Sequence, residues 1–352
     1  MQYKVLIVTF FLAFNAGCSS IGPPTVSRDR FDYVVAISES VKRQMLLNLV
    51  KTRYLDAPVY MDIASVISQY TIEGELGFEF APSFSDNNLI LGNGKYADRP
   101  TITYSPLTGE KYSRSLLKPL PLSAVALLLQ SGYPVDGIIR VCVQSLNGND
   151  NNRNGALSAR EESPHFNEVL SLLRDLQQIG SLYFRVGTSG DRSDIKLGFR
   201  IYKQTEAVQQ EIQLKRLLGL DPKAKEYSLV YGVQPVNNSE IAMQTRSMMQ
   251  IMIEYAAEID VPKSDVDEGR VMKTISSTIQ KDGNSIPLIS VHSGPTQPED
   301  VHTAVYYRDN WFWIDDKDIY SKSSFNFLMV LFSLTERGQE SSQVPIVTVP
   351  TN

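Results

Sequence analysis

Residues 304–314 have the sequence AVYYRDNWFWI, and residues 318–334 continue as DIYSKSSFNFLMVLFSL. The first stretch is rich in aromatic and β-branched residues, which favour strands, and Asp309-Asn310 in its middle tolerate the positive φ angles of a two-residue turn. The second stretch is strongly apolar and long enough for a helix. Together they predict a β-hairpin followed by a helix, and therefore a fold that combines antiparallel strands with helices.

The two faces of this hairpin differ in composition, because side chains alternate between the faces of a strand. With the turn at Asp309-Asn310, one face holds Tyr306, Arg308, Trp311 and Trp313. The other face holds Tyr307, Phe312 and Ile314 and is expected to be core. Burial of both faces under the following helix is the simpler interpretation for large aromatic residues. The alternative is that the four residues of the first face bind a partner, since Trp, Tyr and Arg are enriched in binding hot spots.

The rest of the chain predicts an α+β fold with helices packed on short antiparallel sheets and hairpins; a mixed α/β fold is the alternative. An apolar face with helical spacing is formed by Val34, Ile37, Val41, Met45 and Leu49. A second helix is expected over residues 60–70. A boundary near Asp221-Pro222 would separate an N-terminal α+β region, 31–220, from a C-terminal α+β region, 221–352, unless the two form one domain.

The N-terminus has the pattern of a secretory signal. Lys4 precedes the apolar run VLIVTFFLAF at residues 5–14, which is too short for a bilayer but suits the h-region of a signal peptide. The small residues Ala16 and Gly17 then precede Cys18. This arrangement resembles the lipobox of bacterial lipoproteins, although Asn15 replaces the usual Leu. We expect a signal peptide at 1–17 and lipidation of Cys18, with ordinary cleavage to a soluble product as the alternative.

The residues after Cys18 suggest where the anchored protein lies. Residues 18–30 are expected to form a tether, because they contain Pro23-Pro24 and no apolar period. The resemblance to lipoproteins implies that Ser19 directs transfer to the outer membrane. The formal net charge of −5 gives no electrostatic basis for binding nucleic acid. The expected partners are therefore the membrane, through the N-terminal lipid, and an envelope protein.

No catalytic or cofactor motif is supported by its context, so we expect no cofactor and name no catalytic residue. The Gly-rich stretch 92–97 is followed at once by Asp98-Arg99-Pro100, which prevents the helix that a dinucleotide site needs. The Ser115-to-Lys118 motif of penicillin-binding enzymes precedes Pro119, which disfavours a helix there. The three histidines form no short zinc pattern, and Cys142 lies in an apolar run typical of a buried, unreactive thiol.

One metal-binding pattern is complete. Residues 150–161 match the calcium loop D-x-[DN]-x-[DN]-G-x₅-E, from Asp150 to Glu161. The flanking sequence does not predict the two helices of that motif, since residues 138–146 are apolar and strand-like and Pro164 delays the next helix. A solvated loop is the preferred interpretation, calcium binding is the alternative, and no residue is assigned as a metal ligand.

Three further stretches resemble an uncharacterised family of Gram-negative envelope lipoproteins. They are LLNLVKTRY at 46–54 with Asp56 and Pro58, Thr245-Arg246-Ser247, and residues 307–322. The resemblance implies envelope localisation and a globular body, and it carries no activity. We therefore expect a lipid-anchored periplasmic protein that acts as a non-enzymatic binding or scaffold component. The alternative is a periplasmic hydrolase whose site is assembled from distant carboxylates such as Asp315, Asp316 and Asp318.

Overall fold

The computed structural model describes residues 23–67, 70–78, 90–98, 101–151, 163, 165–189, 192–200, 205–274, 280–281, 284–285 and 287–336. Cys18, the signal peptide, most of the 150–161 loop and the C-terminal residues from 337 onward lie outside this set. The chain divides into two compact units. The smaller unit is Val59–Tyr112, and the larger one combines the residues before it with those after it.

The described elements confirm an α+β fold. The helices are α1 Pro23–Arg53, α2 Gly109–Tyr112, α3 Leu122–Gln130, α4 Val135–Cys142, α5 Phe166–Gln178, α6 Thr205–Leu217, α7 Met248–Ala257, α8 Lys263–Asp267 and α9 Ile319–Glu336, with a π-helical turn at Ser113–Leu117. The strands are β1 Met61–Ile67, β2 Tyr70–Phe78, β3 Ile90–Asp98, β4 Thr101–Pro106, β5 Val143–Leu146, β6 Asn149–Asp150, β7 Leu182–Ser189, β8 Arg192–Phe199, β9 Glu226–Tyr231, β10 Glu240–Thr245, β11 Gln280–Lys281, β12 Asn284–Ser285, β13 His292–Gly294, β14 Val301–Tyr307 and β15 Asn310–Asp315.

The described residues of the smaller unit form two strand pairs and a helical turn. β1 pairs antiparallel with β4, and β2 pairs antiparallel with β3. The expected helix over residues 60–70 is therefore wrong. β-branched residues such as Ile63 and Val66 favour a strand, and the partner strand that satisfies their backbone groups lies some forty residues later in the chain.

A six-stranded sheet forms the centre of the larger unit. Its strand order is β6-β5-β10-β9-β8-β7, and all neighbours are antiparallel except β9 and β10. β8 pairs directly with β9, with Lys196 opposite Ser228. This pairing joins residues on both sides of the expected boundary at 220–221, so the described chain does not divide there.

The first helix extends further toward the N-terminus than the sequence suggested. α1 begins at Pro23, where proline is tolerated because the first helical N–H groups have no intrahelical partner. Residues 23–30, expected to be part of a tether, are therefore helical. Met45 and Leu49 are buried where α1 packs against β14 and α7, whereas Val34 and Val41 remain exposed. Among residues 30–53 of α1, whose burial is described, the buried side chains all lie in the second half of the helix.

The C-terminal hairpin and its helix form a second layer of the larger unit. β14 and β15 form the predicted antiparallel hairpin with a different register, and β13 adds a third strand beside β15. α9 packs on β15 and on α7, and it buries Phe325, Leu328 and Leu331. Within the described residues, no helix combines the length and apolar character that crossing a bilayer requires.

Candidate functional site

The turn of the C-terminal hairpin lies one residue earlier than the sequence predicted. Tyr307 pairs with Asn310, so the two turn residues are Arg308 and Asp309, with φ of 46° and 61°. Positive φ at both positions is the requirement of a type I′ turn, which matches the twist of the strands. The expected position of Arg308 on the same sheet face as the tryptophans is therefore wrong, because Arg308 lies in the turn.

The three other predicted residues do share one face. Trp311 lies on the central strand between Tyr306 and Gly294, and Trp313 lies between Ala304 and His292. The ring centroids of Tyr306 and Trp311 are 5.4 Å apart, and those of His292 and Trp313 are 5.7 Å apart. We call the surface formed by His292, Tyr306, Trp311 and Trp313 the aromatic face.

The aromatic face is open while the opposite face of the same sheet is closed. Tyr306 is 55% exposed, and Trp311 and Trp313 are partly exposed. On the other face, Phe312 and Ile314 are fully buried. Burial of both faces, the simpler interpretation of the sequence, is therefore not what the structure shows. The expected core position of Phe312 and Ile314 is confirmed.

Arg308 instead joins a polar cluster at the end of α1. Its Nη2 lies 3.0 Å from Asp56 Oδ2, and its guanidinium carbon is 5.0 Å from the ring centroid of Tyr54. The hydroxyl of Tyr307 donates a hydrogen bond to the same Asp56 carboxylate. We call Tyr54, Asp56, Tyr307 and Arg308 the turn clamp, because they hold the hairpin turn against the helix.

The contacts of the turn clamp shift the pKa values of its side chains. The hydrogen bond from Tyr307 and the contacts with Arg308 lower the pKa of Asp56 below its ordinary value. Burial and the bond to Asp56 raise the pKa of Tyr307. Burial and a hydrogen bond to Asp265, with 2.6 Å between the oxygens, raise the pKa of Tyr54. Asp56 is thus held as a carboxylate and both phenols as neutral donors, which suits a structural latch.

A groove of about 260 Å³ lies next to the turn clamp. Its walls come from the residues that follow α1, including Leu55 and Ala57, and from Met249 and Ile253 of α7. Leu55 is 67% exposed and has a φ of 60°. The backbone N–H of Asp56 donates to the carbonyl oxygen of Lys51, which is the hydrogen bond of a Schellman motif at a helix C-terminus. Leu55 occupies the left-handed position of this motif, where glycine is usual.

The carboxylates of the hydrolase hypothesis have separate structural contacts. Asp315 accepts a hydrogen bond from the backbone of Lys317, and Asp316 pairs with Lys322 at 2.7 Å. Asp318 accepts bonds from the backbone and the hydroxyl of Ser321 at the start of α9. Lys322 lowers the pKa of Asp316. Burial by itself would raise the pKa of Asp318, but the hydrogen bonds from Ser321 outweigh this effect, so the pKa of Asp318 lies below its ordinary value. A general acid needs a raised pKa, so these two groups are poorly suited to that role.

The other chemistry-bearing residues also lack a site within the described chain. Cys142 is free and buried, as predicted, and burial raises the pKa of its thiol to about 12. His165 lies beside Glu168 on the surface, and His302 packs edge-on against Phe325. Among the residues that the structure describes, no three His, Cys, Asp or Glu side chains are grouped to hold a metal ion.

The calcium pattern is described only at its start. Asp150 ends β6, and Asn151 is fully buried. The amide of Asn151 donates to the carbonyl oxygens of Arg140 and Val143 at 2.9 and 2.6 Å, and Arg246 donates to the carbonyl oxygens of Arg140 and Asn151. These bonds cap the C-terminus of α4. Residues 152–162 lie outside the described part of the chain, so the calcium alternative stays a prediction.

No protein-family model, curated protein or solved structure matches the chain. The structure brings together parts of the first and third of the stretches quoted for the family resemblance. Tyr54 and Asp56 from the first contact Tyr307 and Arg308 from the third, and Arg246 from the second caps α4. Sequence reasoning missed the turn clamp, and its only sequence signal was that these stretches stood out.

Proposed function

We propose that this chain is a lipid-anchored protein of the bacterial envelope that docks a partner protein on the aromatic face. The observation that carries the proposal is the asymmetry of the C-terminal sheet: Phe312 and Ile314 are fully buried, whereas Tyr306 is 55% exposed. A sheet that needed only to stabilise the fold would present polar side chains to water on its open face. An exposed Tyr beside partly exposed Trp side chains on one sheet is typical of binding hot spots.

The anchoring part of the proposal depends on Cys18, with Ser19 directing the protein to the outer membrane. Its support is the short apolar run at residues 5–14 that precedes the small residues and the cysteine. Metabolic labelling with an alkyne fatty acid tests it: wild type should be labelled, and Cys18→Ser should be unlabelled and retain its signal peptide. Equal labelling of the two proteins would show that Cys18 is not the anchor.

The docking part is tested by site-specific cross-linking in cells. A photo-reactive phenylalanine analogue is introduced at Tyr306, and a second protein carries it at Tyr231, which is 57% exposed on β9. The proposal predicts a discrete cross-linked species from position 306 that is absent from position 231 and lost when Trp311 is also replaced by Ala. Identical cross-linking patterns from both positions would contradict docking on the aromatic face.

The geometry of the described residues gives the hydrolase alternative less support. Asp315, Asp316 and Asp318 each stabilise a local turn, an ion pair or a helix start. None of the three lines the groove beside the turn clamp. The binding role therefore accounts for more of the observed geometry than an enzymatic role does.

A further inference from the structure

The turn clamp shows how this hairpin binds a cation on one of its sides. The guanidinium carbon of Arg308 lies 5.0 Å from the ring centroid of Tyr54 and 5.7 Å from that of Tyr307. The same guanidinium pairs with the Asp56 carboxylate at 3.0 Å. Two aromatic rings and one carboxylate thus surround one arginine, an arrangement that combines cation–π attraction with an ion pair.

The aromatic face has the same kinds of groups on the other side of the hairpin. Tyr306 and Trp311 lie side by side with an angle of 56° between their ring planes. The hydroxyl of Tyr306 lies 3.5 Å from Asp309 Oδ1, which places an exposed carboxylate at the edge of these rings. A second carboxylate, that of Asp260, lies 3.6 Å from His292 at the other end of the face.

The aromatic face has no counterpart to the arginine of the turn clamp among the described residues. Among the described residues, no Lys or Arg lies over the ring of Tyr306, Trp311 or Trp313, and Asp309 forms no ion pair. The face therefore offers aromatic rings and negative charge to an incoming group. Both features attract a cation, and the attraction strengthens when a partner excludes water from the rings.

We infer that the aromatic face binds an arginine or lysine side chain on a basic segment of the partner protein. This inference rests on the proposed docking function and names the chemistry of the docked group. The ring centroids of Tyr306 and Trp311 are 5.4 Å apart, so an incoming cation would lie over the exposed ring of Tyr306 and not between the two rings. A sugar ring would instead stack on a flat aromatic platform, and neither pair of rings is coplanar, since their planes meet at 56° and 44°.

Intrinsic fluorescence gives a direct test, because both tryptophans of the chain lie on this face. The full-length protein in detergent micelles is titrated with a blocked pentapeptide that carries two arginines between glycines. A matched peptide carries two glutamates, and a trisaccharide of N-acetylglucosamine represents a glycan. The expected result is a saturable emission change with the arginine peptide alone, weakened by added salt because exposed charges are screened.

Variants show whether the binding depends on the groups named. Tyr306→Leu and Asp309→Asn should each lower the affinity for the arginine peptide about two- to fivefold, which is the range expected for one exposed cation–π or ionic contact. Tyr231→Leu removes an equally exposed tyrosine from β9 and should leave the affinity unchanged. Equal responses to both peptides, a response to the trisaccharide alone, or equal losses in Tyr306→Leu and Tyr231→Leu would overturn the inference.

The titration and the cross-linking experiment separate the two proposals. A specific cross-link at position 306 without arginine-dependent fluorescence would support docking of a partner protein and refute the inference that the docked group is a cation. Arginine-dependent fluorescence without a specific cross-link would support the chemistry of the face and refute docking of a protein partner in the envelope.

Discussion

The hydroxyl of Tyr307 donates a hydrogen bond to the carboxylate of Asp56, although 251 residues separate the two in the chain. Arg308, the next residue along the hairpin, pairs with the same carboxylate. One side chain at the end of α1 therefore fixes the turn of the C-terminal hairpin. Tyr306 of the aromatic face directly precedes Tyr307 of this contact in the chain.

Replacement of Asp56 by Asn should destabilise the protein by roughly 1 kcal/mol. Asn keeps an oxygen for Tyr307 but loses the charge that pairs with Arg308, and both side chains of that pair are about 40% exposed, so solvent screens much of the attraction. Urea unfolding of the full chain measures the loss. Asp267→Asn, at an exposed position on α8, serves as the control and should change stability by less than about 0.5 kcal/mol.

The contribution of Asp56 should depend on pH in a defined direction. Its pKa in the folded protein lies below the ordinary value of 3.8, so the folded state favours the carboxylate. The stabilisation is therefore complete well above that value and is lost as the pH falls through the folded-state pKa. Wild type and Asp56→Asn should differ in stability by a constant amount from about pH 5 to 7 and converge below about pH 4. A difference that grows on acidification would contradict this assignment.

The sequence predicted the hairpin, its following helix and the buried side of its sheet, because alternation and apolar periodicity are local signals. It misplaced the turn by one residue because local rules favour Asp309 and Asn310 at positive φ. The structure places Arg308 there, at a φ of 46°, where Asp56 and Tyr54 hold its side chain. Contacts that span more than 200 residues leave no local pattern, so neither the true register nor the turn clamp was predictable. The strand at Met61–Ile67 was missed for the same reason, since its partner is distant in the chain.

Leu55 should give an unusual order of stabilities when it is replaced. Its φ of 60° lies in the left-handed region, where a side chain costs roughly 1 kcal/mol and glycine costs little. Because Leu55 is 67% exposed, burial of its side chain contributes little to the stability of the fold. Leu55→Gly should therefore be more stable than Leu55→Ala by up to about 1 kcal/mol, the reverse of the order within a helix. Chemical denaturation compares the two variants, and a more stable Ala variant would contradict the strain argument.

Arg246 should contribute strongly to the stability of the fold through its buried hydrogen bonds. Its guanidinium is buried and donates to the carbonyl oxygens of Arg140, Val141 and Asn151 at the end of α4. Removal of a buried, paired charge typically costs about 3–5 kcal/mol, so Arg246→Met should lower the melting temperature strongly. Arg216→Met, at an exposed position on α6, is the control and should have little effect. Similar melting temperatures for the two variants would show that the capping bonds contribute little.

Trp311 and Phe312 are adjacent in the chain but should respond very differently to truncation. Phe312 is fully buried, so Phe312→Ala should cost about 3–5 kcal/mol through lost burial and the cavity that remains. Trp311 is partly exposed on the aromatic face, and Trp311→Ala should cost only about 1–2 kcal/mol, because part of its ring already contacts water. Parallel urea titrations followed by circular dichroism make the comparison. A loss in Trp311→Ala as large as that in Phe312→Ala would show that the aromatic face is packed as core, and the docking proposal would then lose its structural basis.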